Sequence, residues 1–425
     1  MAKRASGHRI PRDRVLDIVQ DALPMREVLG QHLRIRDAAA VAITACRVGK
    51  VRLGHGYRYL IEYHVTLQPP DVTTPLNVMV TGMSFPAGRT REVWETLRDA
   101  GTVAIGATDL VLDTPFAYVP DLDMLVQVFP HDFRLPGLAR LLAGCPPELL
   151  PSLLAEFGPG TWRLERWDAE SMAYAPDRRA AVRLIVQARC IESGRVCDRT
   201  FYAKIYPNRE EACRAHQLQV MLHQGVDTAA APFRIAKPIA YLPDLQTVVH
   251  TAVSGVSLDH LVANEPDAGD ALDRAARAIA ALHHLEVDFG GLAGPESPRS
   301  LANRITRLER ESALLSTARP HLAAGLARMV ATIIDGLTPS PSAPTHGDLK
   351  PEHVFIDGDT VSLIDFDFLQ ASDRVLDVLK MEKHLASPRR RVSSSTGGAE
   401  ASARRFVEAY LAHAAHDARA RLALY

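Results

Sequence analysis

The chain has 425 residues, of which 47% are hydrophobic and 23% charged, and its formal net charge is −1. This length predicts two or three domains, and the composition is that of a globular protein. A nearly neutral chain has no overall field that attracts nucleic acid or anionic lipid, so we expect neither as a partner. No run of eighteen apolar residues and no secretory signal occurs, so we expect a cytoplasmic protein without a membrane span.

The N-terminal third predicts a mixture of helix and strand. Residues 1 to about 45 carry apolar residues at helical spacing, with Pro24 as an interruption, and predict helix. Residues 51–67 alternate between apolar and polar and predict a strand, and residues 75–85 predict a second one. A helix is predicted over 90–100. This region therefore has the order strand, strand, helix.

The same order returns in residues 171–224. Two long strands are predicted there, joined by a turn at Ser193-Gly194, and a helix follows. That turn would place Cys190 opposite Cys197, and we expect both thiols to be reduced. The recurrence leaves two interpretations open, a diverged internal repeat or two independent α+β units.

Beyond Ser254 the sequence predicts mainly helices, interrupted by the stretch 345–368. The Ser- and Gly-rich segment 387–402 predicts a mobile loop. We therefore divide the chain into an N-terminal α+β domain (1–165), a small β-rich domain (166–250) and a helical domain (251–425).

The stretch "THGDLKPEHVFIDGDTVSLIDFDF" carries the chemistry. If the chain folds back around Asp357-Gly358, Asp348 and Asp365 come to the same end of one hairpin. Such a carboxylate pair suits phosphoryl transfer, in which one group orients the attacking hydroxyl and another holds a metal ion on the phosphates. Mg²⁺ accepts one or two carboxylates together with phosphate oxygens and water.

"HGDLKPEH" and "LIDFD" resemble the catalytic segment of the aminoglycoside phosphotransferase and choline kinase group. The resemblance covers roughly residues 170–415 and implies a bilobal protein-kinase-like α+β fold, here with an extra N-terminal domain. The first segment is also similar to the protein-kinase loop His-Arg-Asp-Leu-Lys-Pro-Glu-Asn, with Gly347 in place of Arg and His353 in place of Asn. "IDFD" differs from the Asp-Phe-Gly of protein kinases.

The resemblance implies roles for five residues of this segment. Asp348 would be the catalytic base, and Lys350 would neutralise the transferring phosphoryl group. Asp365 would bind Mg²⁺, with Asp367 as a second metal contact or a structural group. The family usually has Asn where this chain has His353, and imidazole suits transition metals better than Mg²⁺. Mn²⁺ is therefore an alternative metal.

The nucleotide would be ATP, held by residues upstream of this segment. Lys204 on its strand would contact the phosphates, and Glu211 in the following helix is the candidate acidic partner. Backbone groups near His250 and Val253 would bind adenine. No G-x-G-x-x-G loop precedes Lys204; its place is taken by "YAPDRRAAVRL", where Arg178 or Arg179 is a candidate phosphate contact.

The resemblance implies an ATP-dependent kinase that phosphorylates a hydroxyl of a sugar, amino sugar, aminocyclitol or amino alcohol. Two alternatives remain open: a catalytically weak pseudokinase, suggested by His353 and the missing glycine loop, and an atypical protein kinase, suggested by "DLKPE". The resemblance leaves residues 1–165 unexplained. A degenerate copy of the small lobe, a cap or a surface for homodimerisation would account for them.

Overall fold

The structure, a computed structural model, describes residues 12–33, 42–54, 56–68, 74–99, 115–265, 267–288, 301–336, 343–387 and 396–423. The chain is an α+β protein, as predicted, and separates into two compact units, residues 1–212 with 240–249 and residues 213–239 with 250–425. Of the helices in these ranges, none has the length and apolar character needed to cross a membrane. The division into three domains remains a prediction.

The first unit begins with two helices and a five-stranded sheet. Its elements are α1 (Arg12–Val19), α2 (Ala22–His32), β1 (Ala42–Gly54), β2 (Tyr57–Gln68), β3 (Leu76–Ser84), α3 (Arg89–Asp99), β4 (Phe116–Val119) and β5 (Met124–Val128). The helix predicted to residue 45 is wrong at its end, because β1 begins at Ala42. Pro24 lies in the first turn of α2, where a missing N–H is tolerated, and the Asp21 side chain caps this helix by accepting from the Leu23 N–H.

The sheet has the order β1-β2-β3-β5-β4. The single strand predicted over 51–67 is wrong, since β1 and β2 form a hairpin in which Gly54 pairs with Tyr57. Alternate residues of β2, among them Ile61 and Tyr63, pack against α1 and α2, while Leu60 faces a second core beside α3. The sheet is therefore covered on both faces.

The next elements are α4 (Pro136–Ala143), α5 (Leu150–Ala155), β6 (Trp162–Ala175), β7 (Arg179–Cys190), β8 (Val196–Ile205) and α6 (Arg209–Thr228). Three strands occur where two were predicted, because a turn at 176–178 separates β6 from β7. This turn contains no glycine, and Asp177 adopts the left-handed conformation instead, at φ 61°. Cys197 pairs with Ala188 rather than with Cys190, so that pairing was wrong, but both thiols are free, as expected.

A second five-stranded sheet follows the plan of the first. After β9 (Arg234–Ile235) come β10 (Pro238–Leu242) and β11 (Thr247–Thr251), and the order is β6-β7-β8-β11-β10. Phe201, Ala203 and Ile205 of β8 are buried, and α4 packs on β6, β7 and β8. Lys204 alternates with these residues and so lies on the opposite face of the sheet.

The second unit is mainly helical. Its remaining elements are β12 (Val256–Ser257), α7 (Leu258–Asn264), α8 (Gly269–His283), α9 (Leu301–Ala318), α10 (Ala323–Gly336), β13 (Ala343–Thr345), β14 (Val354–Asp357), β15 (Thr360–Leu363), β16 (Gln370–Ser372), α11 (Val375–Leu385), α12 (Thr396–Leu411) and α13 (Ala418–Leu422). Apolar residues of α8, α11 and α12 share one core with the β14–β15 hairpin. The mobile loop predicted over 387–402 is wrong from Thr396 onward, where α12 begins, and residues 388–395 lie outside the described part of the chain.

Candidate active site

The β14–β15 hairpin organises the candidate site. Its strands pair from Asp357 with Thr360 to Val354 with Leu363, so the predicted fold-back around Asp357-Gly358 is confirmed. At the open end of the hairpin, the Ile364 N–H donates to the His353 carbonyl at 3.0 Å. Asp348 precedes this end and Asp365 follows it, so local pairing holds both segments at one end of the hairpin.

Asp348 forms ion pairs with two lysines. The Lys350 Nζ lies 2.9 Å from its Oδ2, and the Lys380 Nζ lies 3.2 Å from its Oδ1 and also donates to the Gly347 carbonyl. Burial of the carboxyl opposes its ionisation, but these lysines outweigh burial and lower the pKa of Asp348 below its ordinary value. Asp348 is therefore ionised at neutral pH. Sequence reasoning missed Lys380, which lies in α11, far along the chain.

Asp377 holds the backbone of the candidate catalytic loop. Its carboxylate is buried and accepts from the His346 N–H at 2.6 Å and from the Gly347 N–H at 2.9 Å. The His346 ring is also buried, with its Nε2 2.8 Å from the Ile364 carbonyl. Asp377 thus ties down this loop, and the His346 ring connects it to the segment that follows β15.

A buried polar chain continues from Asp377 into the helical core. The His283 Nε2 lies 3.2 Å from the Asp377 Oδ2, and its Nδ1 lies 2.8 Å from the Tyr410 hydroxyl. These contacts connect α11 with α8 and α12. His283 is therefore a buried group of the interior, and its contact with Asp377 holds the carboxylate that binds the loop.

The left-handed conformation of Gly347 leads to a testable prediction. Gly347 has φ 79°, and a Cβ at this position would overlap the Phe368 carbonyl. Gly347→Ala is therefore expected to lower the free energy of unfolding by about 3 kcal/mol, measured by urea denaturation. The strain would arise where Gly347 donates to Asp377.

Gly358→Ala is the matched control for this prediction. Gly358 also has a left-handed φ, 54°, but no atom lies within 4 Å of a Cβ built there. Its substitution is expected to lower the free energy of unfolding by only about 1 kcal/mol, the cost of a left-handed backbone in a residue that has a Cβ. Equal losses in the two variants would show that the contact with Phe368 has no effect on stability.

His353 and Asp365 lie side by side. The His353 Nε2 is 3.4 Å from the Asp365 Oδ2, and the His353 ring stacks on His346 with centroids 5.4 Å apart. Burial lowers the pKa of His353 to about 4, against the opposing charge of Asp365, so the imidazole is neutral at neutral pH. Among the described residues, the buried Nδ1 of His353 has no hydrogen-bond partner. Asp365 itself has left-handed backbone, at φ 68°.

The side chains at this end of the hairpin suit a metal ion that is completed by substrate. The part of the chain that the structure describes contains no group of three or more His, Cys, Asp or Glu side chains able to hold a metal. Mg²⁺ needs only one or two carboxylates when phosphate oxygens and water fill its other positions. Asp365 meets this requirement, and Asp367 lies two residues further on in a 3-10 turn, Phe366–Phe368. A neutral His353 adds a nitrogen that suits Mn²⁺ better.

The predicted nucleotide residues lie on β8, α6 and β11. Lys204 is the next-to-last residue of β8, and His250 lies in β11, shortly before Val253. Glu211 is bound to Asn208 at the start of α6: its N–H donates to the Asn208 Oδ1 at 2.8 Å, as in an N-cap, and its Oε1 accepts from the Asn208 Nδ2 at 2.9 Å. The role of Glu211 as partner of Lys204 stays a prediction.

The comparisons with known proteins identify the family. The model of the phosphotransferase enzyme family matches residues 193–425, which is more than half of the chain. The chain therefore belongs to this family, and the resemblance seen in "HGDLKPEH" and "LIDFD" is confirmed. A search among curated protein sequences found no match.

Solved structures with a similar arrangement include three small-molecule kinases. APH(2")-IIa in a ternary complex with streptomycin and ATP has a TM-score of 0.43 and 11% identity, over 66% of this chain and 86% of that one. A choline/ethanolamine kinase family protein from Mesorhizobium loti has a TM-score of 0.38 and 16% identity, over 56% and 70%. The amicoumacin kinase hAmiN has a TM-score of 0.38 and 11% identity, over 60% and 77%. Because these TM-scores are low, the family assignment rests on the family model.

Proposed function

We propose that this phosphotransferase-family protein transfers the γ-phosphoryl group of ATP to a hydroxyl of a small molecule. The observation that carries the proposal is the ionised Asp348, held between Lys350 and Lys380 at the open end of the hairpin that also carries Asp365. An ionised carboxylate can accept a hydrogen bond from an acceptor hydroxyl and receive its proton as the phosphoryl group moves. Lys350 and Lys380 would offset negative charge during transfer.

Asp365 is the residue that would hold Mg²⁺ or Mn²⁺, with Asp367 beside it in the chain. A metal ion bound with ATP would neutralise charge on the nucleotide phosphates. Lys204 would bind the same phosphates from β8, and the backbone near His250 and Val253 would bind adenine. The acceptor class remains that implied by the family: a sugar, amino sugar, aminocyclitol or amino alcohol.

Nucleotide binding provides the direct test. ATP with Mg²⁺ at about one hundred times its dissociation constant should raise the midpoint of thermal unfolding by on the order of 5 °C. Asp365→Asn should abolish this shift, because the amide cannot hold the metal ion. Asp357→Asn, at the other, exposed end of the same hairpin, should leave the shift unchanged. A full shift in the Asp365 variant would remove Asp365 from the metal site.

A second candidate function is that of a pseudokinase that binds partners without transferring phosphate. The observation that favours it is the buried, neutral His353 ring against Asp365, at the position where the family usually has Asn. No thermal shift with ATP and either Mg²⁺ or Mn²⁺ would support this alternative. A shift with Mn²⁺ alone that extends to Mg²⁺ in His353→Asn would instead assign metal selection to His353.

A further inference from the structure

The two sheets of the first unit have the same layout. In each, three antiparallel strands are followed by a helix and then by two more strands. The second of these two, β5 or β11, lies between the third strand of the sheet and the first of the two, β4 or β10. In each, a short linker after the last strand leads to a helix, α4 or α7. Met83 is the next-to-last residue of β3, as Lys204 is of β8. The first sheet thus has the plan of the proposed nucleotide-binding sheet, with methionine in place of the lysine. We call the first sheet and residues 129–135, which link β5 to α4, the N-terminal copy.

The linker of the N-terminal copy contains a carboxylate that contacts the second sheet. Asp132 lies between β5 and α4 and is 4% exposed. It accepts hydrogen bonds from the Tyr174 hydroxyl at 2.9 Å and from the Asp177 N–H at 2.8 Å, both in the β6–β7 hairpin. The Gln127 side chain and the Arg134 N–H, each at 2.9 Å, complete its partners. Four donors thus fix this carboxylate.

These contacts determine the conformation of the β6–β7 turn. Asp177 is buried and has φ 61°, a conformation that persists in a non-glycine residue only where its surroundings enforce it. Its N–H is bound by Asp132, and its carboxylate accepts from the Arg134 guanidinium at 3.3 Å. Both partners belong to the linker of the N-terminal copy. This linker therefore holds Asp177 in a left-handed conformation, which a glycine in a glycine-rich loop would adopt without such partners.

Two exposed arginines lie at the end of this turn and just after it, at the end of the sheet that contains Lys204. Arg178 and Arg179 are exposed, and Arg179 begins β7. Two residues further on, Ala181 is the register partner of Lys204, so Arg179 shares a sheet face and a sheet end with this lysine. Guanidinium groups bind phosphate oxygens in a bidentate manner. This end of the sheet thus has three cationic side chains, whereas a glycine-rich loop would offer backbone N–H groups to the phosphates.

We propose that the N-terminal copy holds the β6–β7 turn so that Arg178 and Arg179 bind the nucleotide phosphates together with Lys204, and that Asp132 is the positioning residue. This inference rests on the proposed function, because it assigns the turn to the nucleotide of that reaction. It gives the residues before β6 a role in substrate binding and explains how the site works without a glycine loop.

Two measurements on the full chain test the proposal. In Asp132→Asn, hydrogen exchange at the Asp177 amide should become at least about tenfold faster, because one oxygen of the carboxylate is replaced by an amide. The KM for ATP should rise about tenfold while kcat changes by less than about threefold, as expected for a lost binding contact. Asp121→Asn, an exposed carboxylate of the same domain, should change neither quantity.

A second variant tests the proposal even if Asp132→Asn fails to fold. The double substitution Arg178→Ala, Arg179→Ala alters only exposed side chains and should raise the KM for ATP as Asp132→Asn does, without faster exchange at Asp177. Combining the two should add little further. An unchanged KM in the arginine variant, or unchanged exchange in Asp132→Asn, would overturn the proposal. If the unsubstituted chain binds no nucleotide, the proposed function fails, and the exchange result alone decides whether the N-terminal copy fixes the turn.

Discussion

Asp348→Asn is expected to lower kcat by about three orders of magnitude while leaving the KM for ATP nearly unchanged. The amide has almost the shape of the carboxylate but cannot receive the hydroxyl proton, and it carries no charge to pair with Lys350 and Lys380. Initial rates of ADP formation with an acceptor, or of ATP hydrolysis in its absence, measure the effect. A kcat within tenfold of the unsubstituted value would exclude Asp348 as the base.

Lys380→Met tests whether the ionisation of Asp348 controls the rate, because the substitution leaves Asp348 itself in place. Lys380 and Lys350 together hold the pKa of Asp348 below its ordinary value, against the opposing effect of burial. Removing one lysine should therefore raise that pKa, so the acid limb of the kcat/KM profile should move to higher pH. An unmoved acid limb would mean that ionisation of Asp348 does not limit the rate at low pH.

Asp377→Ala is expected to have the largest effect on stability, a loss of about 3–5 kcal/mol in the free energy of unfolding. The substitution would leave the His346 and Gly347 N–H groups and the His283 ring in a buried site without their shared acceptor. Urea denaturation checks the loss, and Lys383→Ala, an exposed position of the same helix, is the control. A loss below about 1 kcal/mol would show that water or a neighbouring group replaces the carboxylate.

The pH dependence of this contribution follows from the pKa of Asp377. Burial opposes ionisation, but the hydrogen bond from His283 and the N–H groups of the loop outweigh burial and lower the pKa in the folded chain. A lowered folded-state pKa means that the stabilisation is fully present at neutral pH. It is lost only as the pH falls below the ordinary carboxyl value of 3.8 toward the folded value. The free energies of unfolding of Asp377→Ala and of the unsubstituted chain should therefore differ less under strongly acidic conditions than at neutral pH.

The candidate catalytic segment could be predicted from the sequence because its organisation is local. Asp357-Gly358 forms the turn of a short hairpin, and the pairing of β14 with β15 then fixes the positions of Asp348 and Asp365 relative to its open end. The helix α3 was also predicted correctly. In each case the determining interactions lie within a few residues of one another.

Two sheet hairpins, which turn at Gly54–Gly56 and at 176–178, were not predicted. Residues on both sides of Gly54–Gly56 and of 176–178 continue the alternation of a strand, so each hairpin had the pattern of one long strand. At 176–178 the turn depends on Asp177 in a left-handed conformation, which the distant Asp132 and Arg134 stabilise. No property of the turn sequence alone reports a partner so far along the chain.

The sequence by itself determined the family, the α+β class and the residues of the candidate catalytic segment, because these depend on residue types at short spacings. Only the tertiary structure brought Lys380 to Asp348, Asp377 beneath the loop backbone and Asp132 to the β6–β7 turn. Each of these contacts joins residues that are distant in the chain, and their energy depends on burial and on complete sets of donors. Such properties exist only once the helices and sheets have packed.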